Sequence, residues 1–163
     1  MLASTACGGG GKASPTDLLG ASEQLLSEAD VNRYPRGSPS HALLAWWRTT
    51  QFANLPAYLD SFDEVMQQVL GASPKTAEAV AYFAGAIRTA RPAIIDVDST
   101  GSRATVYTKI VYRQPVGTTT FITTTVPRAF NFVHEGGEWR LVDDVFVHLS
   151  LPVLLRRENL LPP

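Results

Sequence analysis

The sequence predicts an α+β domain in which three helices come first and a curved antiparallel sheet of four to six strands follows. Between residues 38 and 92, apolar side chains recur at helical spacing. Between residues 93 and 149 the runs become β-branched and aromatic, with a period of two. Strands and helices do not alternate along the chain, so a parallel nucleotide-binding sheet is set aside.

Residues 1–37 read as an anchor and tether, with the single domain occupying 38–163. Within the tether, "TDLLGASEQLLSEAD" places Leu18, Leu19, Leu25 and Leu26 at nearly helical spacing, enough for one or two turns. "NRYPRGSPS" then interrupts the pattern with two prolines and a glycine. Ser38 before Pro39 pairs a cap with a first-turn proline and opens "PSHALLAWWRTTQF". Asn54 caps a second helix, whose face is Leu55, Leu59, Phe62, Met66 and Val69, with Gly71 as its stop. Ser73-Pro74 repeats the start signal, and Val80, Phe83, Ala84 and Ile87 line a third helix that runs toward Pro92. The strand runs are "AIIDVD", "SRATVYTKIVY", "TTTFITTTV", "RAFNFVHE" and "EWRLVDDVFVHL", separated by "STGS", "RQPVG" and "GG". Packing three amphipathic helices on one face of this meander buries both apolar surfaces.

This order, with "ALLAWWRTTQFANLPAYL" early and "FNFVHEGGEWRLVDD" late, resembles the nuclear-transport-factor-2-like superfamily, a cystatin-like α+β cone. The resemblance covers about residues 38 to 150. It implies a sheet wrapped around helices into a cone with an open mouth. The superfamily includes ketosteroid isomerase, polyketide cyclases, dehydratases and many non-catalytic binding or assembly domains, bacterial lipoproteins among them. The fold it implies therefore leaves function open.

Composition narrows the partners. The chain carries 14 Lys+Arg against 15 Asp+Glu, a formal charge of −1. Nothing in that balance calls for nucleic acid, whose binding needs a basic face. One cysteine excludes an intramolecular disulfide, so the core alone must hold the fold. The longest apolar run, "VFVHLSLPVLL", falls short of the roughly 18–20 residues that cross a bilayer. That lone cysteine sits in "LASTACGGGG", which resembles the end of a bacterial lipoprotein signal peptide. The resemblance implies lipidation at Cys7, a glycine tether after it, and an extracytoplasmic domain anchored to the cell membrane by lipid. It also implies that the charged and apolar parts of the signal lie upstream of Met1.

The hairpin supplies the candidate site. Gly136-Gly137 suits a two-residue type I′ turn that pairs Glu135 with Glu138. Counting outward, His134 faces Trp139, Phe132 faces Leu141 and Phe130 faces Asp143, all on one sheet face that Val145, Val147, Leu149 and Leu151 continue. Asp143 would then be the one charge on an apolar surface, where desolvation raises a carboxyl pKa and makes an acid or base. A bulge at Asp143-Asp144 gives the opposite expectation, with both aspartates turned outward. Trp46 and Trp47, about 100° apart on a helix, both reach the core edge; plain core packing is the expectation for them, and lining of the cone by one of them is the alternative. The pocket candidates are thus Asp143, Trp46, Trp47, Phe130, Phe132, Trp139 and His134.

Other signals give no chemistry. "DVDSTGSRATVY" starts like a calcium loop but ends on Tyr107 where a bidentate Glu is needed. His41, His134 and His148 lack metal-ligand spacing, so neither metal nor cofactor is expected. The tail "LPVLLRRENLLPP" suits a partner surface, a dimer contact or a return onto its own domain. Three functional classes follow. The first is a non-catalytic envelope lipoprotein domain that binds a protein partner or a small apolar ligand. The others are an isomerase- or cyclase-type enzyme using Asp143 and a dimerising assembly scaffold.

Overall fold

A computed structural model describes residues 23–116 and 120–143, with the backbone alone at Asp143. Cys7 and its glycines, the Val145–Leu151 row, His148 and the C-terminal tail lie outside the described residues.

Among the described residues, five helices precede four strands. The helices are α1 (Glu28–Val31), α2 (Pro39–Gln51), α3 (Leu55–Asp60), α4 (Glu64–Ala72) and α5 (Thr76–Ile87). The strands are β1 (Ala90–Thr100), β2 (Arg103–Val116), β3 (Thr120–Glu135) and β4 (Glu138–Asp143), joined in the order β1-β2-β3-β4 with every pair antiparallel. This is the α+β layout expected, helices first and a curved meander after. Two-residue turns close two of its hairpins. Gly136 and Gly137 both take positive φ, as the type I′ turn requires, and Glu135 pairs with Glu138.

The start signals act as read at Ser38, whose hydroxyl accepts from the His41 N–H at 3.2 Å, and at Asn54, which accepts from Ala57 N–H. The expected second helix is two helices. Between them Phe62 forms a parallel bridge with Leu141, framed by Leu141 N–H donating to Ser61 O and Asp63 N–H donating to Leu141 O. The chain extends there to pair with β4. Asp63 then caps α4 by accepting from Met66 N–H at 2.9 Å. The third helix stops at Ile87 instead of reaching Pro92, which lies in edge strand β1. An edge position is where a strand proline is tolerated.

Two expected strands, "TTTFITTTV" and "RAFNFVHE", are one. β3 passes through Pro127 without a break because of how its backbone groups alternate. Arg113 N–H donates to Thr89 O, so odd residues of β2 face β1 and even residues face β3. The uniform β2–β3 register then turns even residues of β3 toward β2 and odd ones, Pro127 included, away from it. The N–H that proline lacks belongs to no β2–β3 bond.

The packed unit also begins earlier than Ser38. Leu26 is 2% exposed and belongs to the core with Val31. Gln24 N–H donates to Arg88 O at 2.7 Å, and its side-chain amide donates to Thr89 O and Val111 O. Residues 23–37 are therefore part of the domain, not of a tether. The single turn α1 owes its position to a capping box between Ser27 and Asp30.

Between the helices and the sheet lies an aromatic interior. Trp46 contacts Trp47, Phe62 and Phe130 with centroids 5.8, 6.4 and 5.7 Å apart, and Tyr58 meets Phe62 at 5.0 Å. Burying one such ring stabilises the fold by about 1.5–3 kcal/mol. One polar group joins this interior. Gln51, 1% exposed, accepts from Leu26 N–H at 2.9 Å and donates to the carbonyls of Gln24, Ile87 and Ala90 at 3.1–3.2 Å. Gln51→Ala should destabilise the protein by about 2–4 kcal/mol, because it strands one buried donor and several acceptors together. Urea unfolding of the two proteins measures it, and a loss below about 1 kcal/mol would show that water replaces the amide.

Candidate functional site

The structure scatters the sequence candidates. Trp46, Trp47, Phe130 and Phe132 are all fully buried and pack in one core with Leu141. They fill the space between helices and sheet. The indole N–H of Trp47 donates to Ala90 O at 3.2 Å, whereas that of Trp46 has no partner among the described residues. His134 is exposed, and its ring meets that of Trp139 with centroids 5.0 Å apart.

Asp143 requires a correction. Phe132 does face Leu141, but the next pair is Asn131 with Asp143, so Val142 is an extra residue in β4. The expected pairing of Phe130 with Asp143 does not form. The cause lies on the far side of β4. Leu141 gives both backbone groups to Ser61 and Asp63, and the strand bulges just after that attachment. A slip of one residue exchanges sheet faces, so Asp143 stands at the register position of exposed Asn131.

Trp139 is the candidate that borders a cleft. Its indole N–H donates to Gly37 O at 3.0 Å, which fixes the ring against the loop entering α2. The cleft, of about 380 Å³, has Ala42 and Ala45 as a small-residue floor and Arg36, His41, Asp60 and Arg140 around its rim. Arg140 is held from two sides, by Asp60 at 3.0 Å and Glu138 at 2.7 Å, so its charge is compensated in place. The cleft thus combines a hydrogen-bonded aromatic ring, two alanines and several polar side chains. Such a surface suits the seating of an apolar group.

A second cleft, of about 290 Å³, lies where α1 meets β1 and is bordered by Tyr34, Leu44, Asp30, Arg33, Arg91 and Ile94. Its polar centre is Asp30. The Ser27 hydroxyl (2.7 Å) and backbone N–H (3.0 Å) donate to one carboxylate oxygen, and Arg91 donates to the other. The Ser27 bonds, with Arg91 adding to them, hold the Asp30 carboxyl at about 2 against an ordinary 3.8. A carboxylate so thoroughly satisfied is a structural tie, not an acid or base. No sequence periodicity marked it, although the Ser27-x-x-Asp30 spacing is a helix-start signature.

No family profile matches the chain, and no curated protein does. Solved structures similar to it include that of RPA3114, a SEC-C motif containing protein from Rhodopseudomonas palustris. It is 13% identical, with a TM-score of 0.47 over 82% of this chain and 92% of that one. A multiply substituted Rd1NTF2 variant is similar at 12% identity and TM-score 0.45, covering 71% of this chain and 95% of that one. A putative dehydratase of the NTF2-like family from Streptomyces avermitilis follows, at 16% identity and TM-score 0.41, over 61% and 86% of the two chains.

The Asp30 tie gives a pH dependence of definite sign. Its folded pKa lies below the ordinary value, so its stabilisation is complete above about pH 4 and disappears as pH falls toward 2. Arg91 is 38% exposed, and solvent screening reduces the worth of the pair. Asp30→Asn should therefore cost about 1 kcal/mol at neutral pH, and the gap to wild type should narrow as pH drops from 4 to 2. Thermal melts of both proteins across that range decide it. A gap that stays constant with pH would assign the loss to the capping geometry alone.

Proposed function

We propose that this chain is a non-catalytic binding domain of the cell envelope, held at a membrane surface by lipid on Cys7. Its partner, a protein segment or a small apolar ligand, seats against the cleft beside Trp139. The observation that carries this reading is the filled interior. Trp46, Tyr58, Phe62, Phe130 and Phe132 occupy the space where a cone would hold a substrate, which leaves the outer surface for binding. Trp139 is the aromatic candidate that is both fixed and reachable there. The register that would have set Asp143 opposite Phe130 is absent, so the isomerase-type alternative loses its argument. The dimerising alternative has no comparable support.

The anchor reading rests on the cysteine–glycine junction and on a separation of scale. Fifteen residues lie between Cys7 and Glu23, the first residue described in the packed domain. They reach at most about 50 Å, so the Trp139 cleft would work close to the membrane. Among the described residues no helix is long and apolar enough to cross a membrane.

Two measurements test the proposal. Mass spectrometry of the protein from its native cells should show a chain beginning at diacylglyceryl-modified Cys7. An unmodified chain beginning at Met1 would refute the anchor. For the cleft, 1-anilinonaphthalene-8-sulfonate serves as an apolar probe. Trp139→Ala should weaken dye binding about tenfold, the loss expected for one buried aromatic contact of about 1.4 kcal/mol, with far-UV circular dichroism unchanged. Equal dye binding by both proteins counts against the cleft.

A further inference from the structure

We propose that the outward edge of β3, from Phe121 to Ala129, is a strand-acceptor site, and that the chain following Asp143 occupies it. Among the described residues β4 pairs with β3 from Asn131 to Glu135, whereas β3 runs back to Thr120. Among the described residues nothing pairs with the rest of that edge. The groups left there follow from the alternation already described. Phe121, Thr123, Thr125 and Ala129 point N–H and C=O away from β2, and Pro127 points only its carbonyl. A row of backbone donors and acceptors at this spacing is satisfied along its length by an extended polypeptide strand.

Continuity selects which polypeptide. β4 is antiparallel to β3, and its last described residue, Asp143, pairs with Asn131, so β4 at that point lies on this edge and runs in the direction of Thr120. Nine residues of β3 ask for about 30 Å of extended partner. Residues 144–163 number twenty, more than enough, and they open with "DVFVHLSL", rich in the residue types that suit strands. Pro127 works against a foreign strand, since one carbonyl opposite it finds no donor. Ile122 and Val116 remain half exposed at the far end of the β2–β3 ribbon, where the added strand would finish.

Amide hydrogen exchange on the full-length chain tests this. The amides of Phe121, Thr123, Thr125 and Ala129 should exchange about 100-fold or more slowly than in a free peptide, independently of protein concentration. Interstrand nuclear Overhauser effects should join Thr123, Thr125 and Ala129 to residues 144–153. In a chain ending at Asp143, those four amides should exchange at least about tenfold faster, while Phe130 and Phe132, which face β2, stay slow and report an intact fold. If the shortened chain does not fold, Val147→Pro in the full chain should speed the same four amides selectively. Fast exchange at these positions in the full-length protein overturns the proposal. Protection that grows with concentration, together with a dimer in sedimentation, also overturns it and gives the edge to a second copy.

Discussion

The fold is held together by one buried amide. Gln51 stands at the last turn of α2, where a polar side chain in an aromatic interior would ordinarily be a liability. It becomes an asset because three segments bring it four backbone groups. The strap at residues 24–26 offers a carbonyl and an N–H, the end of α5 offers Ile87 O, and the start of β1 offers Ala90 O. Three carbonyls share two amide hydrogens, so at least one bond is three-centred. Helix ends carry unsatisfied carbonyls by construction, and Ile87 O is one of them. The amide thus closes the join between helical and sheet halves, a place where neither helix nor ladder could satisfy the backbone.

Everything near that join depends on it. Trp47 adds a second donor to Ala90 O, which fixes the start of β1 against α2. Gln24 carries the pattern outward by bonding Thr89 O and Val111 O, and the Glu23–Arg88 pair at 2.7 Å lies beyond it. That surface pair is worth little by itself. The strap therefore derives its place from buried hydrogen bonds and from Leu26, with the charges following the geometry. A domain attached to its surroundings through this strap would transmit pull straight into the α2–β1 join.

Much of this architecture was legible in the sequence, and what was not shares one cause. The caps at Ser38 and Asn54, the turn at Gly136-Gly137 and the change of period near residue 90 are local signals, and the local chain obeys them. The broken second helix, the merged third strand and the shortened third helix each depend on a distant partner. Phe62 leaves the helix to meet Leu141, 79 positions away, although its spacing fits the helical face. Pro127 looks like a break until the neighbouring strand shows which way its nitrogen points. Gln51 carried no signal at all, because a glutamine at a helix end reads as solvated unless its burial is known. Among the site candidates, Trp139 came to border a cleft. It follows the hairpin turn so closely that its register was set locally.

The Asp143 outcome shows how a long-range contact changes a chemical inference. Period-two counting is sound while a strand is free on its outer side, because each residue then simply alternates. β4 is not free. Leu141 pairs forward to Phe132 on one side and, through its N–H and C=O, to the Ser61–Asp63 break on the other. Helix α3 ends and α4 begins at the place that grips β4, and the extra residue Val142 follows directly after the grip. The same contact that splits the expected helix therefore shifts the expected acid out of register with Phe130. Leu141 is fully buried and shares one core cluster with Phe132, so side chains from both layers meet there. On the outer side of β4, Trp139 is fixed by Gly37 two residues before α2 begins.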